Sequence, residues 1–125
     1  MKTIKIDKTN CVIYYGVCFT VEWYYDENGY SQAYEYFLQT SDVQRRKFLI
    51  LVKRIADFGK IFDTTKFRYE GDNIYAFKPQ PDRYLSFFVA GIKIIVTNGF
   101  CKKIDKLPDS EKELALRYRN NYFNR

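Results

Sequence analysis

Cationic side chains beside predicted strand ends are the residues best suited to chemistry in this sequence. Residues 66–125 hold twelve lysines and arginines against seven acidic residues, whereas the first 65 residues are nearly balanced. The basic residues near strand ends, in loops or on the last helix are Arg68, Lys78, Arg83, Lys102, Lys103, Lys106, Arg117 and Arg119. The tyrosines interleaved with them are Tyr69, Tyr75, Tyr84, Tyr118 and Tyr122. Because cations bind phosphates and tyrosine rings stack on bases, the pattern indicates nucleic-acid binding. A solvated basic face above core tyrosines is the alternative that the same residues allow.

Composition narrows the possible chemistry. The chain of 125 residues carries a net charge of +6, so its field attracts nucleic acid, anionic lipid or an acidic partner. It contains no histidine, which excludes serine–histidine hydrolases and histidine-dependent ribonuclease chemistry. Cys11, Cys18 and Cys101 form no CxxC pair and supply too few ligands for zinc. We therefore expect no metal and no cofactor, and the cysteine content favours the cytoplasm.

Strand and turn patterns indicate which elements position the cations. Four strand-like segments, at residues 67–69, 73–78, 83–89 and 93–100, are separated by turns that contain glycine or proline. Their short connections predict an antiparallel meander. The last helix follows a Leu-Pro pair and can be capped by the Asp or the Ser of residues 109–110. That serine also forms a capping-box pattern with the glutamate three residues later.

The first half of the chain predicts strands followed by two helices. The composition of residues 2–25 indicates extended structure, and its apolar run fits a buried strand better than a secretory signal. Ser31 can cap a short helix, and a capping box at Ser41 begins a second helix that Gly59 ends. No apolar stretch reaches the ~20 residues of a membrane span. Residues 1–125 are therefore predicted to form a single α+β domain, in which N-terminal strands and a helical hairpin pack on a four-stranded, mainly antiparallel sheet with a C-terminal helix.

Four segments carry a resemblance to a known family. Residues 98–103 read Asn-Gly-Phe-Cys-Lys-Lys and precede a proline and a helix with the run Ala-Leu-Arg-Tyr-Arg-Asn-Asn-Tyr. Upstream, residues 73–78 and 83–88 form two strands, and residues 26–59 form the helical hairpin. In order and spacing, these segments resemble RelE/HigB-type bacterial toxins of the phage-derived subgroup over about residues 24–123.

The chain also departs from the pattern of that family. Lys78 stands where the family usually has arginine, Ala76 where it usually has glutamate, and Asn98 where it often has histidine. A lysine lacks the guanidinium fork, so bidentate recognition of a phosphate is weaker at that position. Residues 1–23 extend beyond the usual start of the family and are expected to form strands.

The resemblance implies a RelE/ParE-like fold and a toxin that cuts mRNA on the ribosome without a metal ion. The residues expected at the catalytic site are Arg83, Lys78, Lys102, Lys103 and Tyr122. Those expected to bind RNA are Arg68, Lys106, Tyr118, Arg117 and Arg119. On this view Arg83 clamps the scissile phosphate, because an arginine at a strand start is held by the sheet. A lysine whose pKa is lowered by neighbouring cations could act as the base, and Asp105 is a weaker alternative.

The resemblance also implies partners and leaves other functions open. The expected partners are mRNA, the ribosome and a cognate antitoxin of helix-turn-helix character, and operator DNA is expected to be contacted only through the antitoxin complex. No membrane partner is expected. The alternatives are a ParE-like inhibitor of DNA gyrase and a degenerate, non-catalytic module that only binds its antitoxin.

Overall fold

A computed structural model describes residues 11–59 and 64–125 of the chain. Within these ranges the chain forms six strands and three helices, in the order β1, β2, α1, α2, β3, β4, β5, β6 and α3. Their bounds are Val12–Tyr15, Thr20–Trp23, Gln32–Gln39, Asp42–Phe58, Phe67–Tyr69, Tyr75–Phe77, Asp82–Val89, Lys93–Cys101 and Asp109–Phe123. The predicted α+β class is confirmed, as are the four strands of the second half. The part of the predicted extended segment before residue 11 lies outside the described residues.

The sheet has six strands in the order β1-β2-β6-β5-β4-β3, so the predicted four-stranded sheet is too small. Strand β2 runs parallel to β6, with Val21 opposite Ile94 and Trp23 opposite Val96. The other neighbours are antiparallel, and β3 to β6 form the predicted meander. Sequence did not reveal the parallel pair because a crossover connection leaves no turn signal between the strands that it joins.

Hydrophobic clusters lie on both faces of this sheet. On one face, α1 and α2 cover Val21 and Ile94 with fully buried side chains such as that of Phe48. On the other face, α3 places Ala115 against Leu85 and Ile95. Successive residues of β6 thus enter opposite clusters, as the two-residue period of a strand requires. The sheet is therefore the middle layer of the fold, and it fixes the positions of the helices on its two faces.

The predicted ends of the first two helices are confirmed. The Ser31 hydroxyl accepts a hydrogen bond from the Tyr34 N–H at 3.2 Å and begins α1. Ser41 and Gln44 form the reciprocal capping box that begins α2. Gly59 ends α2 with φ of 74°, a left-handed conformation that glycine adopts without a steric cost.

Two boundaries in the second half differ from the predictions. Strand β4 is shorter than residues 73–78 because Asp72 and Asn73 have positive φ and cannot extend it. Helix α3 begins at Asp109 with Pro108 as its N-cap and without a side-chain cap, so both predicted caps are wrong. The Pro108 carbonyl accepts hydrogen bonds from the N–H groups of Glu111 and Lys112. No helix of the described residues is long and apolar enough to span a membrane.

Candidate functional site

An open cavity of about 450 Å³ lies where β4, β5 and β6 meet the start of α1 and the loop that leads to α3. Its lining includes Gln32, Tyr36, Glu70, Ala76, Lys78, Arg83, Leu85, Gly99, Phe100, every residue from Cys101 to Pro108, and Glu111. The meander supplies one wall, since its antiparallel strands bring residues from successive segments to the same end of the sheet. The volume lies within the usual range of ligand sites.

Five of the ten predicted site residues line this cavity. They are Lys78, Arg83, Lys102, Lys103 and Lys106. A sixth, Arg68, lines an adjoining depression of about 250 Å³ that shares Glu70, Asp105 and Lys106 with the cavity. The structure therefore brings together cations from the residue after β4, from β5 and from the loop after β6 around one concave surface.

The other four predicted residues lie on α3, outside the lining of the cavity. The Tyr118 ring stacks on Tyr24 with centroids 4.6 Å apart. The Tyr122 ring packs edge-on against Phe87 at 5.4 Å. Arg119 donates a hydrogen bond to the Asp72 carbonyl, and Arg117 is exposed. The rings thus complete the core beneath α3 and contact protein.

Arg83 is the most buried of the cavity cations, with 8% of its surface exposed. Its Nη1 donates to the Asp82 carbonyl at 3.1 Å and to the Gln80 side-chain oxygen at 3.3 Å. Among the described residues, Nη2 has no hydrogen-bond partner. Arg83 follows Asp82 at the start of β5, so the sheet fixes the direction of its side chain. A guanidinium held in this way presents a free edge to an anion.

The buried carboxylate of Asp82 fixes this strand start to both helices of the first half. Asp82 is 1% exposed and accepts hydrogen bonds from the Tyr36 hydroxyl and from Gln44 Nε2, the latter at 3.0 and 3.1 Å. Burial, followed by the bond to Asp82, raises the pKa of Tyr36, so this phenol stays protonated. The network holds the wall of the cavity in place.

Lys78 lines the cavity with Arg83, and the pKa of its amine is lower than that of an ordinary lysine. Burial lowers the pKa of its amine, and the charges of Arg83 and Arg68 lower it further. Its Nζ donates to the Thr64 carbonyl at 3.2 Å. Burial also lowers the pKa of Arg83. Burial thus disfavours the charged form of both residues, and an anion bound beside them would stabilise it.

The loop after β6 is more exposed. The Lys102 amine and the Asp105 carboxylate form an ion pair at 2.6 Å, and the hydrogen bond from Lys102 lowers the pKa of Asp105. Lys103 and Lys106 are exposed. These cations contribute charge at the mouth of the cavity.

A β-bulge in β6 positions a polar group that the sequence did not mark as structural. Leu85 faces Asn98 and Ser86 faces Val96, which leaves Thr97 as the extra residue. Asn98 is fully buried, and its Nδ2 donates to the carbonyl and the carboxylate of Glu111 at 3.1 and 3.0 Å. The bulge thus fixes the start of α3 to the sheet. Sequence reasoning noted Asn98 only as a departure from histidine.

A second missed contact explains the glycine of the Gly-Phe segment. The Gln32 side-chain amide donates to the Gly99 carbonyl at 2.9 Å and accepts from the Gly99 N–H at 2.6 Å. A Cβ at this position would lie 2.7 Å from the Tyr84 ring and 2.9 Å from the Tyr36 ring. Only glycine lets α1 approach β6 this closely. A glutamine near a helix start gave no sequence signal for this role.

The described residues hold no group of three or more acidic or cysteine side chains able to bind a metal ion. A family model described as phage-derived protein Gp49-like (DUF891) matches residues 35–120, which include all the cations of the cavity. No curated protein matches the chain.

Proposed function

Since the chain belongs to the phage-derived Gp49-like family, a toxin-like family, we propose that it is the toxin of a toxin–antitoxin pair and cleaves mRNA on the ribosome. The observation that carries the proposal is the meeting of Lys78, Arg83 and Lys102 around one open cavity. These residues come from different segments of the sheet and its loops. Cations turned to different sides of the molecule could not hold one phosphate.

The proposed reaction is transesterification within the RNA strand. The 2′ oxygen attacks the neighbouring phosphorus, the bond to the 5′ oxygen breaks, and the products are a 2′,3′-cyclic phosphate and a 5′-hydroxyl. The transition state carries extra negative charge on the phosphoryl oxygens, so fixed cations stabilise it more than they stabilise the bound RNA. Arg83 holds the phosphate through its free edge, and Lys78, Lys102 and Lys103 neutralise the added charge.

The path of the RNA follows the adjoining depression. Lys106 lies in both concave surfaces, and Arg68 lies in the second. A strand whose scissile phosphate is at Arg83 can therefore continue along these two cations. Tyr118 and Tyr122 lie outside the cavity, so the proposal gives them a packing role. With no histidine in the site, positioning by the ribosome supplies much of the rate, and free RNA is cut poorly.

A toxin of this kind requires an antitoxin. The family implies that partner, and we propose a helix-turn-helix protein that also brings the complex to operator DNA. A basic cavity that acts on cellular mRNA has to be masked while the cell grows. The proposed place of action is the cytoplasm, where ribosomes translate mRNA.

The test is a cell-free translation reaction followed by primer extension on the message. Wild-type protein is expected to cut within the reading frame, and Arg83→Ala is expected to cut about 10²- to 10³-fold more slowly, because it removes a preorganised donor to the phosphate. Arg46→Ala is the matched control, since Arg46 is an exposed arginine of α2 outside the cavity. An intact message at micromolar wild-type protein overturns the proposal. A supercoiling assay run in parallel would then detect inhibition of gyrase, and inactivity in both assays would indicate a module that only binds its antitoxin.

A further inference from the structure

The proposed reaction needs a group that accepts the proton of the 2′-hydroxyl. Histidine is absent from the chain, so the acceptor has to be another side chain of the cavity. The titratable groups that line it, besides the cations, are Glu70, Asp105, Glu111, Tyr36 and Cys101. The contacts of each group show how well it could accept a proton.

Two of the three carboxylates are already engaged within the protein. Asp105 is paired with Lys102 at 2.6 Å, and that hydrogen bond lowers its pKa. Glu111 accepts a hydrogen bond from the Asn98 amide at 3.0 Å, so its carboxylate is engaged in holding α3 to the sheet. The Asp105 carboxylate, stabilised in its charged form, is a weaker base.

The phenol of Tyr36 and the amine of Lys78 are also poorly suited to accept a proton. The Tyr36 hydroxyl donates a hydrogen bond to Asp82 and has a raised pKa, so it stays neutral and protonated. Lys78 donates to the Thr64 carbonyl, which uses its amine as a hydrogen-bond donor. The lowered pKa of Lys78 makes its ammonium form a better acid than an ordinary lysine. The Cys101 sulfur is turned towards the Lys102 carbonyl at 3.7 Å.

Glu70 differs from all of these. It follows β3 directly, and its N–H donates to the Ile74 carbonyl at 2.7 Å, so the turn before β4 fixes its backbone. Glu70 lines both the cavity and the adjoining depression. Among the described residues, its carboxylate has no ion pair within 4 Å and no hydrogen bond. Its negative charge nevertheless acts on both Arg83 and Lys78, which places it near the two cations that hold the phosphate.

We propose that Glu70 is the general base of the cleavage reaction, positioned where the RNA passes from the cavity into the adjoining depression. This inference rests on the proposed ribonuclease function. The Glu70 carboxylate takes the proton from the 2′-hydroxyl, the 2′ oxygen forms its bond to phosphorus, and the bond to the 5′ oxygen breaks. The Lys78 ammonium gives a proton to the departing 5′ oxygen. No metal ion or oxidant takes part.

The experiment measures single-turnover cleavage of a short mRNA on programmed ribosomes from acidic to alkaline pH, for wild type and for Glu70→Gln. The amide keeps the shape of the side chain but cannot accept the proton, so the rate is expected to fall about 100-fold. The fall in rate at acidic pH, which reports protonation of the base, is expected to disappear in the variant. RNA affinity is expected to stay the same or rise, since a negative charge has left a cationic surface. A purely structural role for Glu70 would not produce this pH signature.

Two further variants complete the test. Glu70→Asp is expected to keep the acidic limb with a smaller loss of rate, because the base is present but displaced. Glu113→Gln removes the same charge from an exposed site of α3 outside the cavity and is expected to match the wild type. If wild type cuts the message and Glu70→Gln cuts within threefold of it with the same pH profile, the assignment of Glu70 is overturned while the ribonuclease function stands. If wild type leaves the message intact, both proposals fail together.

Discussion

The charged residues at the inner wall of the cavity are buried and hydrogen-bonded, whereas those at its rim are mostly exposed. Arg83 of the inner wall is 8% exposed, and the two residues of β5 and β6 that hold the wall without lining the cavity, Asp82 and Asn98, are 1% and 0% exposed. The rim is the loop from Lys102 to Lys106, most of which is exposed, with one ion pair between Lys102 and Asp105. Hydrogen bonds from α1, α2 and α3 fix the wall, whereas the rim is fixed mainly by its attachment to β6 and α3.

This difference separates two contributions to binding. A buried cation with fixed direction discriminates between geometries of an anion, because it has little freedom to follow a misplaced ligand. An exposed lysine attracts any nearby phosphate, and salt screens the attraction. We therefore expect the wall to determine stability and reactivity, and the rim to determine affinity and its dependence on salt.

The largest effect is expected for Asp82→Ala, at the buried carboxylate that supports the inner wall. The substitution leaves the Tyr36 hydroxyl and Gln44 Nε2 without their acceptor in a buried site, which costs about 3 kcal/mol of the free energy of unfolding. Urea denaturation measures the loss. The matched control is Asp105→Ala in the rim, which is expected to leave the urea midpoint unchanged because that carboxylate is exposed. Equal destabilisation by the two variants would remove the distinction between wall and rim.

An intermediate effect is expected for Lys78→Arg, and it concerns how RNA affinity depends on pH. Burial holds the pKa of Lys78 below that of an ordinary lysine, so the wild type loses this positive charge at a lower pH and its RNA affinity falls earlier as pH rises. Arginine stays charged throughout, and the variant is expected to retain affinity at alkaline pH. Fluorescence anisotropy with a labelled RNA oligonucleotide measures both curves. The exposed rim variant Lys103→Arg should follow the wild type, and a Lys78→Arg curve that does the same would contradict the expectation.

The smallest effect is expected for Lys106→Ala in the rim. The loss of one exposed phosphate contact weakens RNA binding by about threefold and makes the dependence of log Kd on log salt less steep by about 0.7. Cleavage of RNA that is already bound is expected to proceed at the wild-type rate. Titrations at three salt concentrations measure the slope. A large loss of the cleavage rate at saturating RNA would place Lys106 with the wall instead.

Local signals explain how much of this arrangement sequence could predict. The caps at Ser31, Ser41 and Gly59 each depend on residues within one turn, and they were predicted correctly. The strands of the meander follow one another through short turns, so their cations could be assigned to one sheet before the structure was known. The partners of Asn98 and Gln32 could not be predicted, because each bonds a residue of an element distant in sequence.

The tyrosines of α3 show a different limit. A tyrosine at helical spacing beside arginines fits stacking on a base and packing in a core equally well. Tyr118 and Tyr122 lie against Tyr24 and Phe87 because the sheet turns a second apolar face towards α3. Most of that face comes from β4, β5 and β6, which sequence predicted, and Tyr24 adds to it from the end of β2. The missing information was therefore the face of the sheet on which α3 packs, which no local signal specifies.

The parallel pairing of β2 with β6 also orders events during synthesis of the protein. Residues 20–23 leave the ribosome early and have no parallel neighbour until residues 93–96 have followed them. Contacts so distant in sequence form late, because a long loop has to close first. Asn98 follows residues 93–96 in β6, and Arg83 lies in β5, which pairs with β6. Under the proposed function, the nascent chain therefore cannot cleave mRNA on the ribosome that synthesises it until most of the chain has been made.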